Sequence, residues 1–218
     1  MQIIHSRDII RKMIVKVCGI KTEENIEFLA QADIEMIGLN FYSPSVRYIA
    51  EDANPDIFNS LPRNIQKVGV FVNESIATIL EIISKFNLDF VQLHGDENPE
   101  FCSTLAKHIR IIKVFRVDKD FDFISVLNFD SATYFLFDTK TINYGGSGKK
   151  FDWTILNQYK ESIPFLMSGG IGPNDIDQIL EIKHPYFKGI DINSKFESTP
   201  GIKDKNLVLP FINKLRVK

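Results

Sequence analysis

Short apolar runs alternate with longer amphipathic segments along the chain. The runs are rich in β-branched and aromatic residues and are bounded by Gly, Asp, Asn or Ser, which is typical of buried strands. There are eight of them, at residues 14–18, 36–41, 67–72, 89–94, 110–115, 134–138, 164–168 and 188–192. They begin roughly 25 residues apart, a spacing that leaves room for a helix after each strand.

The segments between the runs carry apolar residues at helical spacing. Apolar side chains recur at i, i+3, i+4 and i+7 in residues 76–83 and again in 208–215, and the start of this pattern recurs in 176–180. Each pattern places one apolar stripe on a helix face. The sequence "NPEF" at 98–101 predicts a helix that begins with an N-cap Asn followed by Pro in its first position.

Eight strands that alternate with helices predict an all-parallel α/β fold, and we expect a single-domain (β/α)8 TIM barrel over residues 14–218. Residues 1–13 precede the first strand and are interpreted as an N-terminal extension. A doubly wound open sheet is the alternative, but such sheets normally use five or six strands around a switch point that this spacing does not show.

Composition and charge narrow the function. The 218 residues have a formal net charge of −2, so a nucleic-acid partner has little electrostatic support. The start of the chain carries scattered charges and no sustained apolar segment, and no run approaches the ~20 apolar residues of a membrane span, so we expect neither a signal peptide nor a membrane partner. Two cysteines make no disulfide framework, which favours a reducing, cytoplasmic location.

Active sites of such barrels lie at the C-terminal ends of the strands, which directs attention to the loops there. The seventh run leads into "SGGIGPND" (168–175) and the eighth into "DINSKFE" (191–197), which would open a short extra helix. Backbone N–H groups at two such helix starts favour an anion, and this is the usual phosphate site of these barrels. The glycines could instead serve only tight turns.

Three side chains at strand ends could carry proton chemistry. Asp138 follows four apolar or aromatic residues, so partial desolvation favours its protonated form; an N-cap or a salt bridge to Lys140 or Lys149 is the alternative. Cys18 ends the first strand and could be a reactive thiol or a buried apolar residue. His94 could be a base or a core residue satisfied by hydrogen bonds.

Other polar residues suggest no further chemistry. Cys102 falls in a predicted outer helix and is interpreted as a packing residue. No histidine or cysteine pair has the spacing of metal ligands, so we expect no metal.

Eight segments of the chain, in their order along the sequence, resemble the phosphoribosylanthranilate isomerase family. This is a family of (β/α)8 enzymes of tryptophan biosynthesis. The matching segments, running from Lys16 to Asp204, are "KVCGIKTEEN", "SPSVRYI", "VGVFVNE", "VQLHGDE", "FDTKTINYGGSGKKFDW", "SGGIGPNDI", "DINSKFE" and "PGIKD". The resemblance implies an Amadori rearrangement, the third step from chorismate to tryptophan, with a phosphorylated sugar substrate and no cofactor.

The resemblance also implies roles for individual residues. Cys18 matches the family's general base and Asp138 its general acid. Arg47 would face the anthranilate carboxylate. The remaining implied substrate-binding residues are His94, Gly169, Gly170, Asp191, Asn193 and Ser194. Of these, the two glycines, Asn193 and Ser194 would hold the 5-phosphate. A loop hinged by Gly145, Gly146 and Gly148 would close over the substrate.

Some features keep alternatives open. Lys195 stands where the family usually has a glycine, which leaves the detail of the phosphate loop open. The related histidine-pathway isomerase uses an aspartate where this chain has Cys18. A non-catalytic phosphate-binding barrel would lack the acid or the base. Family members occur as monomers and as dimers, so we expect a monomer or a homodimer.

Overall fold

Eight parallel strands form one closed barrel. The computed structural model describes residues 12–50, 53–58, 60–140 and 150–217. The strands follow one another around the barrel in chain order, and the last pairs with the first. They are β1 (Ile14–Cys18), β2 (Met36–Asn40), β3 (Gln66–Phe71), β4 (Phe90–Leu93), β5 (Arg110–Val117), β6 (Tyr134–Thr139), β7 (Phe165–Met167) and β8 (Phe187–Ile192).

The closure confirms the predicted barrel and excludes the open doubly wound sheet, which would leave two unpaired edges. The expected N-terminal extension falls almost wholly on residues 1–11, which lie outside the described residues. No helix in the described part of the chain is both long and apolar enough to span a membrane.

The three segments with apolar residues at helical spacing form helices, and the described residues contain two further α-helices. Together they are α1 (Glu23–Leu29), α2 (Ile76–Phe86), α3 (Pro99–Leu105), α4 (Ile176–Leu180) and α5 (Lys205–Val217). Helix α3 begins as predicted, because the Asn98 side chain accepts a hydrogen bond from the Phe101 N–H at 2.8 Å and Pro99 opens the first turn. This cap satisfies one of the donors that a helix start leaves free.

We expected a helix after every strand, and three of these helices are of the 3-10 type instead of the α type. The connections after β2, β5 and β6 contain 3-10 helices, at Pro55–Phe58, Phe123–Val126 and Trp153–Gln158. In the last two, Asp122 and Asp152 each accept a hydrogen bond from the backbone N–H two residues later. Such local side-chain bonds compete with the α-helical pattern and favour tight turns.

Alternate strand residues divide between two apolar clusters. An inner cluster inside the barrel contains Met36, Val68, Phe90, Ile112, Val114, Leu136 and Leu166. Their neighbours in sequence, such as Ile37, Val91 and Phe135, point outwards into the larger cluster between the strands and the helices. Because strand side chains alternate in direction, residues two positions beyond the inner cluster face the C-terminal mouth of the barrel.

A short hairpin covers part of that mouth. The extra helix predicted after β8 is a single 3-10 turn, Ser194–Phe196, and two antiparallel strands follow it, β9 (Glu197–Thr199) and β10 (Ile202–Lys203). The turn between them uses Gly201 at φ +89°, a conformation that favours glycine. The hairpin carries residues that are remote from the other strand ends in sequence to the mouth.

The opposite end of the barrel is tied by the C-terminal helix. Arg216 of α5 donates to the Met13 carbonyl at 2.6 Å and to the Asp33 carbonyl at 2.7 Å. It also pairs with Glu35, whose carboxylate accepts from the Val15 N–H at 2.7 Å. This cluster joins the residues that lead into β1 and β2.

Candidate active site

The candidate residues named from the sequence line one cleft at the C-terminal mouth of the barrel. They are Cys18, Arg47, His94, Asp138, Gly169, Gly170, Asp191, Asn193 and Ser194. They come from six different strands or the loops that follow them, and the closed barrel is what brings them together. The mouth is the end at which catalytic residues of such barrels are found.

Cys18 is buried at the end of β1, with 5% of its surface exposed. Burial raises the pKa of its thiol above the ordinary value, because the thiolate loses hydration. The ammonium groups of Lys16 and Lys203 act in the opposite direction, whereas the Asp191 carboxylate adds to the rise. The thiol therefore lies between two cations and one anion.

Lys16 points into the barrel from the same side of β1 as Cys18, because the two residues are two positions apart. Its side chain is fully buried, and Nζ lies 2.8 Å from Oδ2 of Asp191, its register partner on β8. Burial disfavours the ammonium, but Asp191 and the Cys18 thiol together hold the pKa of Lys16 above its ordinary value. Lys16 therefore carries a positive charge at the floor of the cleft.

Asp138 faces the cleft from the end of β6 and is 8% exposed. Its Oδ1 accepts a hydrogen bond from the Thr139 N–H at 2.8 Å, and its Oδ2 lies 3.3 Å from Nε2 of His94. The other ring nitrogen of His94, Nδ1, lies 3.1 Å from Nε2 of Gln92. Gln92, His94 and Asp138 form a line of side chains across the mouth.

The alternative interpretation of Asp138 as the partner of Lys140 is wrong. Lys140 pairs with Asp118 at 2.6 Å, on the outside of the mouth. Lys149 and the proposed hinge glycines Gly145, Gly146 and Gly148 lie outside the described residues.

Arg47 is held by a carboxylate from the hairpin. Its Nε and Nη2 donate to the two oxygens of Glu197 at 2.8 and 2.6 Å. Lys203 donates to the same carboxylate at 2.5 Å and to Oδ1 of Asn193 at 2.7 Å. Arg47 thus keeps only part of its donors for a ligand, and the hairpin links it to the loop after β8.

The loop after β7 has the shape of an anion cradle. Gly169 and Gly170 both have positive φ angles, +88° and +66°. Within the described part of the chain, the N–H groups of Gly169, Gly170 and Ile171 donate no hydrogen bond. Successive free N–H groups in such a conformation form a concavity that favours an anion.

Gly169 also has no room for a side chain. A Cβ there would lie 2.1 Å from Oγ1 of Thr139 and 2.9 Å from Oδ1 of Asp138. The cradle therefore packs directly against the carboxylate at the end of β6. Across the described residues, no three His, Cys, Asp or Glu side chains are placed to hold a metal ion.

Comparison with known proteins decides the family. The model of the N-(5'-phosphoribosyl)anthranilate isomerase family matches residues 15–214. The chain belongs to this family. Relatives named N-(5'-phosphoribosyl)anthranilate isomerase include that of Parabacteroides distasonis, 43% identical with 93% of each chain covered, and that of Phocaeicola vulgatus, 43% identical with 94% of this chain and 99% of the relative covered.

Solved structures of phosphoribosyl anthranilate isomerases have the same fold. The enzyme of Thermotoga maritima superposes with a TM-score of 0.85 at 35% identity, with 94% of this chain and 100% of that chain covered. A further isomerase structure, with a TM-score of 0.82, 31% identity and coverage of 94% of this chain and 100% of that chain, contains reduced 1-(o-carboxyphenylamino)-1-deoxyribulose 5-phosphate. The candidate residues therefore lie at the mouth of a barrel that has the fold of the solved isomerases.

Reasoning from the sequence missed four residues at or beside this cleft. They are Lys16, Gln92, Glu197 and Lys203. Two of them had a detectable signal, because a charged or amide residue inside an apolar strand, two positions before a site residue, must point into the barrel with it. Glu197 and Lys203 reach the site only through the hairpin, which the sequence pattern did not predict.

Proposed function

We propose that the chain catalyses the Amadori rearrangement of N-(5'-phosphoribosyl)anthranilate to 1-(2-carboxyphenylamino)-1-deoxyribulose 5-phosphate, the third step from chorismate to tryptophan. The observation that carries this proposal is the presence of Cys18 and Asp138 in one cleft beside the glycine cradle. Family membership supplies the substrate, and the cleft supplies a base, an acid and an anion site.

The reaction needs two proton transfers. In the proposal, Asp138 as an acid protonates the ribose ring oxygen, and the ring opens to an iminium ion. The Cys18 thiolate then removes the proton from C2 of the sugar, which gives an enolamine that tautomerises to the ketone. Substrate and product are isomers, so no oxidant, reductant or cofactor enters the balance.

The surroundings of Asp138 support an acid with a fixed direction. One carboxyl oxygen is occupied by the Thr139 N–H, so the other, which lies near His94, is the one that faces the cleft. His94 can orient this oxygen or contact the leaving ring oxygen. Asp191 presents a buried Oδ1 with no hydrogen-bond partner in the described structure, and this atom can accept a hydrogen bond from a sugar hydroxyl.

The two anionic groups of the substrate match the two ends of the cleft. The 5-phosphate would occupy the cradle of Gly169 and Gly170, with Asn193 and Ser194 opposite. The exposed Lys195 lies beside this loop and adds positive charge. The anthranilate carboxylate would approach the donors of Arg47 that Glu197 leaves free.

The test is a turnover assay with the fluorescent substrate and no added metal. The wild-type protein should abolish the fluorescence, and Cys18→Ala and Asp138→Asn should each reduce kcat/KM by about 10² or more. Cys102→Ala is the matched control, because Cys102 is buried in α3 outside the barrel. Full activity in Cys18→Ala or Asp138→Asn overturns the role of that residue, and no turnover by the wild type overturns the function.

The assembly and location complete the proposal. We propose a monomer or a homodimer; among the related structures, the isomerase of Thermotoga maritima is named as dimeric. A cytoplasmic location is consistent with the free thiols of Cys18 and Cys102.

A further inference from the structure

The floor of the cleft contains a charged group to which the isomerase chemistry above gives no task. Lys16 is 0% exposed, yet it carries an ammonium at the top of an otherwise apolar barrel interior. A buried lysine is costly unless it is paired, and a single carboxylate at 2.8 Å provides its pairing in the described structure. The question is what the charge does there.

The backbone of three adjacent strands aims this ammonium at the thiol. Lys16 and Cys18 share the inner face of β1, Asp191 is the β8 partner of Lys16, and Gly38 is the β2 partner of Cys18. A Cβ added at Gly38 would lie 2.6 Å from Sγ of Cys18 and 3.0 Å from Nζ of Lys16. The missing side chain at Gly38 therefore leaves one small space that both atoms border.

We propose that Lys16 is a positioning residue of the isomerase site that stabilises the thiolate of Cys18 against the opposing effect of burial, so that Cys18 can act as the base, and that Gly38 provides the space for their contact. This inference rests on the proposed function for its purpose. Asp191 fixes the ammonium from the other side, and the charge of Lys16 is directed at the one buried thiol that the chemistry uses.

Other charged groups around Cys18 set the background for this effect. Lys203 of the hairpin and Arg47 of the loop after β2 also bring positive charge towards the thiol, but both are paired with Glu197. Asp191 opposes ionisation of the thiol. Lys16 is the cation that shares a strand face and a free space with the sulfur, so its removal should have a large effect.

The physical need for such a cation follows from burial. A buried thiol has its pKa raised, so that at neutral pH little of it is the thiolate that removes a proton. A general base works best when its pKa is near the working pH. A fixed ammonium beside the sulfur increases the thiolate population without exposing the cleft to water.

The test is a titration of Cys18 that does not depend on turnover. The ultraviolet absorbance of the thiolate is followed against pH, with Cys18→Ser as the baseline, and the rate of iodoacetamide labelling is followed in parallel by mass spectrometry. In Lys16→Met we expect the pKa of Cys18 to rise by about 1 unit or more, and labelling at neutral pH to slow about tenfold. The acid limb of kcat/KM should move in the same direction, with activity recovering at higher pH.

Lys113→Met is the matched control. Lys113 is also a buried lysine of a barrel strand, and it pairs with Glu97 at 2.7 Å, but it lies outside the cleft that Cys18 lines. Each variant removes a buried ammonium that pairs with one buried carboxylate, so the two share this part of the structural cost. Only Lys16→Met should shift Cys18, and an equal shift in both, or no shift in Lys16→Met, overturns the proposal.

Cys102 reports whether each variant is folded. It is fully buried in α3 and its pKa is raised to about 11, so it should resist labelling in the native protein. If Lys16→Met exposes Cys102, the titration of Cys18 in Gly38→Ala becomes the test of the proposal. The added methyl separates the sulfur from the ammonium without removing a charge. An upward shift of Cys18 in Gly38→Ala supports the proposal, and an unchanged titration overturns it.

The same measurements separate this inference from the function on which it rests. Normal turnover with an unshifted titration in both variants contradicts the inference alone. A wild-type protein that does not convert the substrate but shows the Lys16-dependent shift contradicts the function and supports the role of Lys16.

Discussion

At the scale of single residues, the mouth of the barrel is organised by charges that share partners. Glu197 is the clearest case, because one carboxylate accepts from both Arg47 and Lys203 while its side chain is only 4% exposed. Burial alone would raise the pKa of Glu197, but the two cations hold it below the ordinary value of 4.5. The carboxylate therefore contributes to stability as well as to the position of Arg47.

The sign of the pH dependence follows from this lowered pKa. The stabilisation is complete above the unfolded value of about 4.5 and is lost as the pH falls through the lower folded value. We expect Glu197→Gln to lower the free energy of unfolding by about 3 kcal/mol at neutral pH, and the gap from the wild type to narrow below pH ~4. Urea denaturation across this pH range measures both.

Glu81→Gln is the control for this prediction, because Glu81 is exposed on α2. It should change stability by less than about 0.5 kcal/mol at either pH. If the difference in unfolding free energy between the wild type and Glu197→Gln stays constant down to pH ~3, the carboxylate is not held ionised by its partners.

At the scale of elements, the loop after β7 packs the glycine cradle against Asp138. Gly169 has a positive φ and no space for a Cβ, because Thr139 and Asp138 of β6 fill it. A side chain there must displace either the cradle or the carboxylate. In the proposed mechanism, both consequences affect the same substrate, one at the phosphate and one at the ring oxygen.

We therefore expect Gly169→Ala to reduce kcat/KM by about 10² or more, with a rise in KM and a fall in kcat together. Gly172→Ala, in the same loop, is the matched control, since the nearest heavy atoms to its added Cβ are 3.7 Å away. Steady-state kinetics of the two variants make the comparison. Similar kinetics for both would contradict the close fit at Gly169.

The elements also show what the sequence could and could not predict. β1 has the predicted bounds, and the Asn98–Pro99 start of α3 is as predicted, because β-branched runs and caps are local signals. The hairpin escaped prediction since its strands are three and two residues long and carry no apolar alternation. The direction of Lys16 was missed because a single charged residue in a strand is more often solvated, and only closure of the barrel buries it.

At the scale of the whole molecule, the two ends of the barrel have different tasks. The C-terminal mouth holds the cleft, whereas the opposite end holds the Arg216 cluster that ties α5 to the entries of β1 and β2. In barrels of this kind, the mouth serves chemistry and the other end serves stability. A change at the far end should therefore affect unfolding and not turnover.

Arg216→Ala should lower the free energy of unfolding by about 2 kcal/mol or more, because it removes the guanidinium that pairs with Glu35 and leaves two backbone carbonyls without their donor. We expect kcat/KM at 25 °C to stay within a factor of about two. Arg63→Ala, at an exposed arginine, is the control and should change neither quantity. Urea denaturation and the turnover assay measure the two quantities, and a loss of activity in a folded Arg216→Ala would contradict the division of tasks.

The pairing of Lys16 with Asp191 crosses the seam at which the barrel closes, between the first strand of the chain and the last barrel strand. During synthesis, Cys18 emerges early, but the carboxylate that fixes the ammonium beside it emerges only with β8. Until β8 is in place, the sulfur therefore lacks the carboxylate that fixes the ammonium beside it. The electrostatic setting of the thiol is therefore complete only when the barrel closes, because the residue that fixes the ammonium belongs to the last barrel strand.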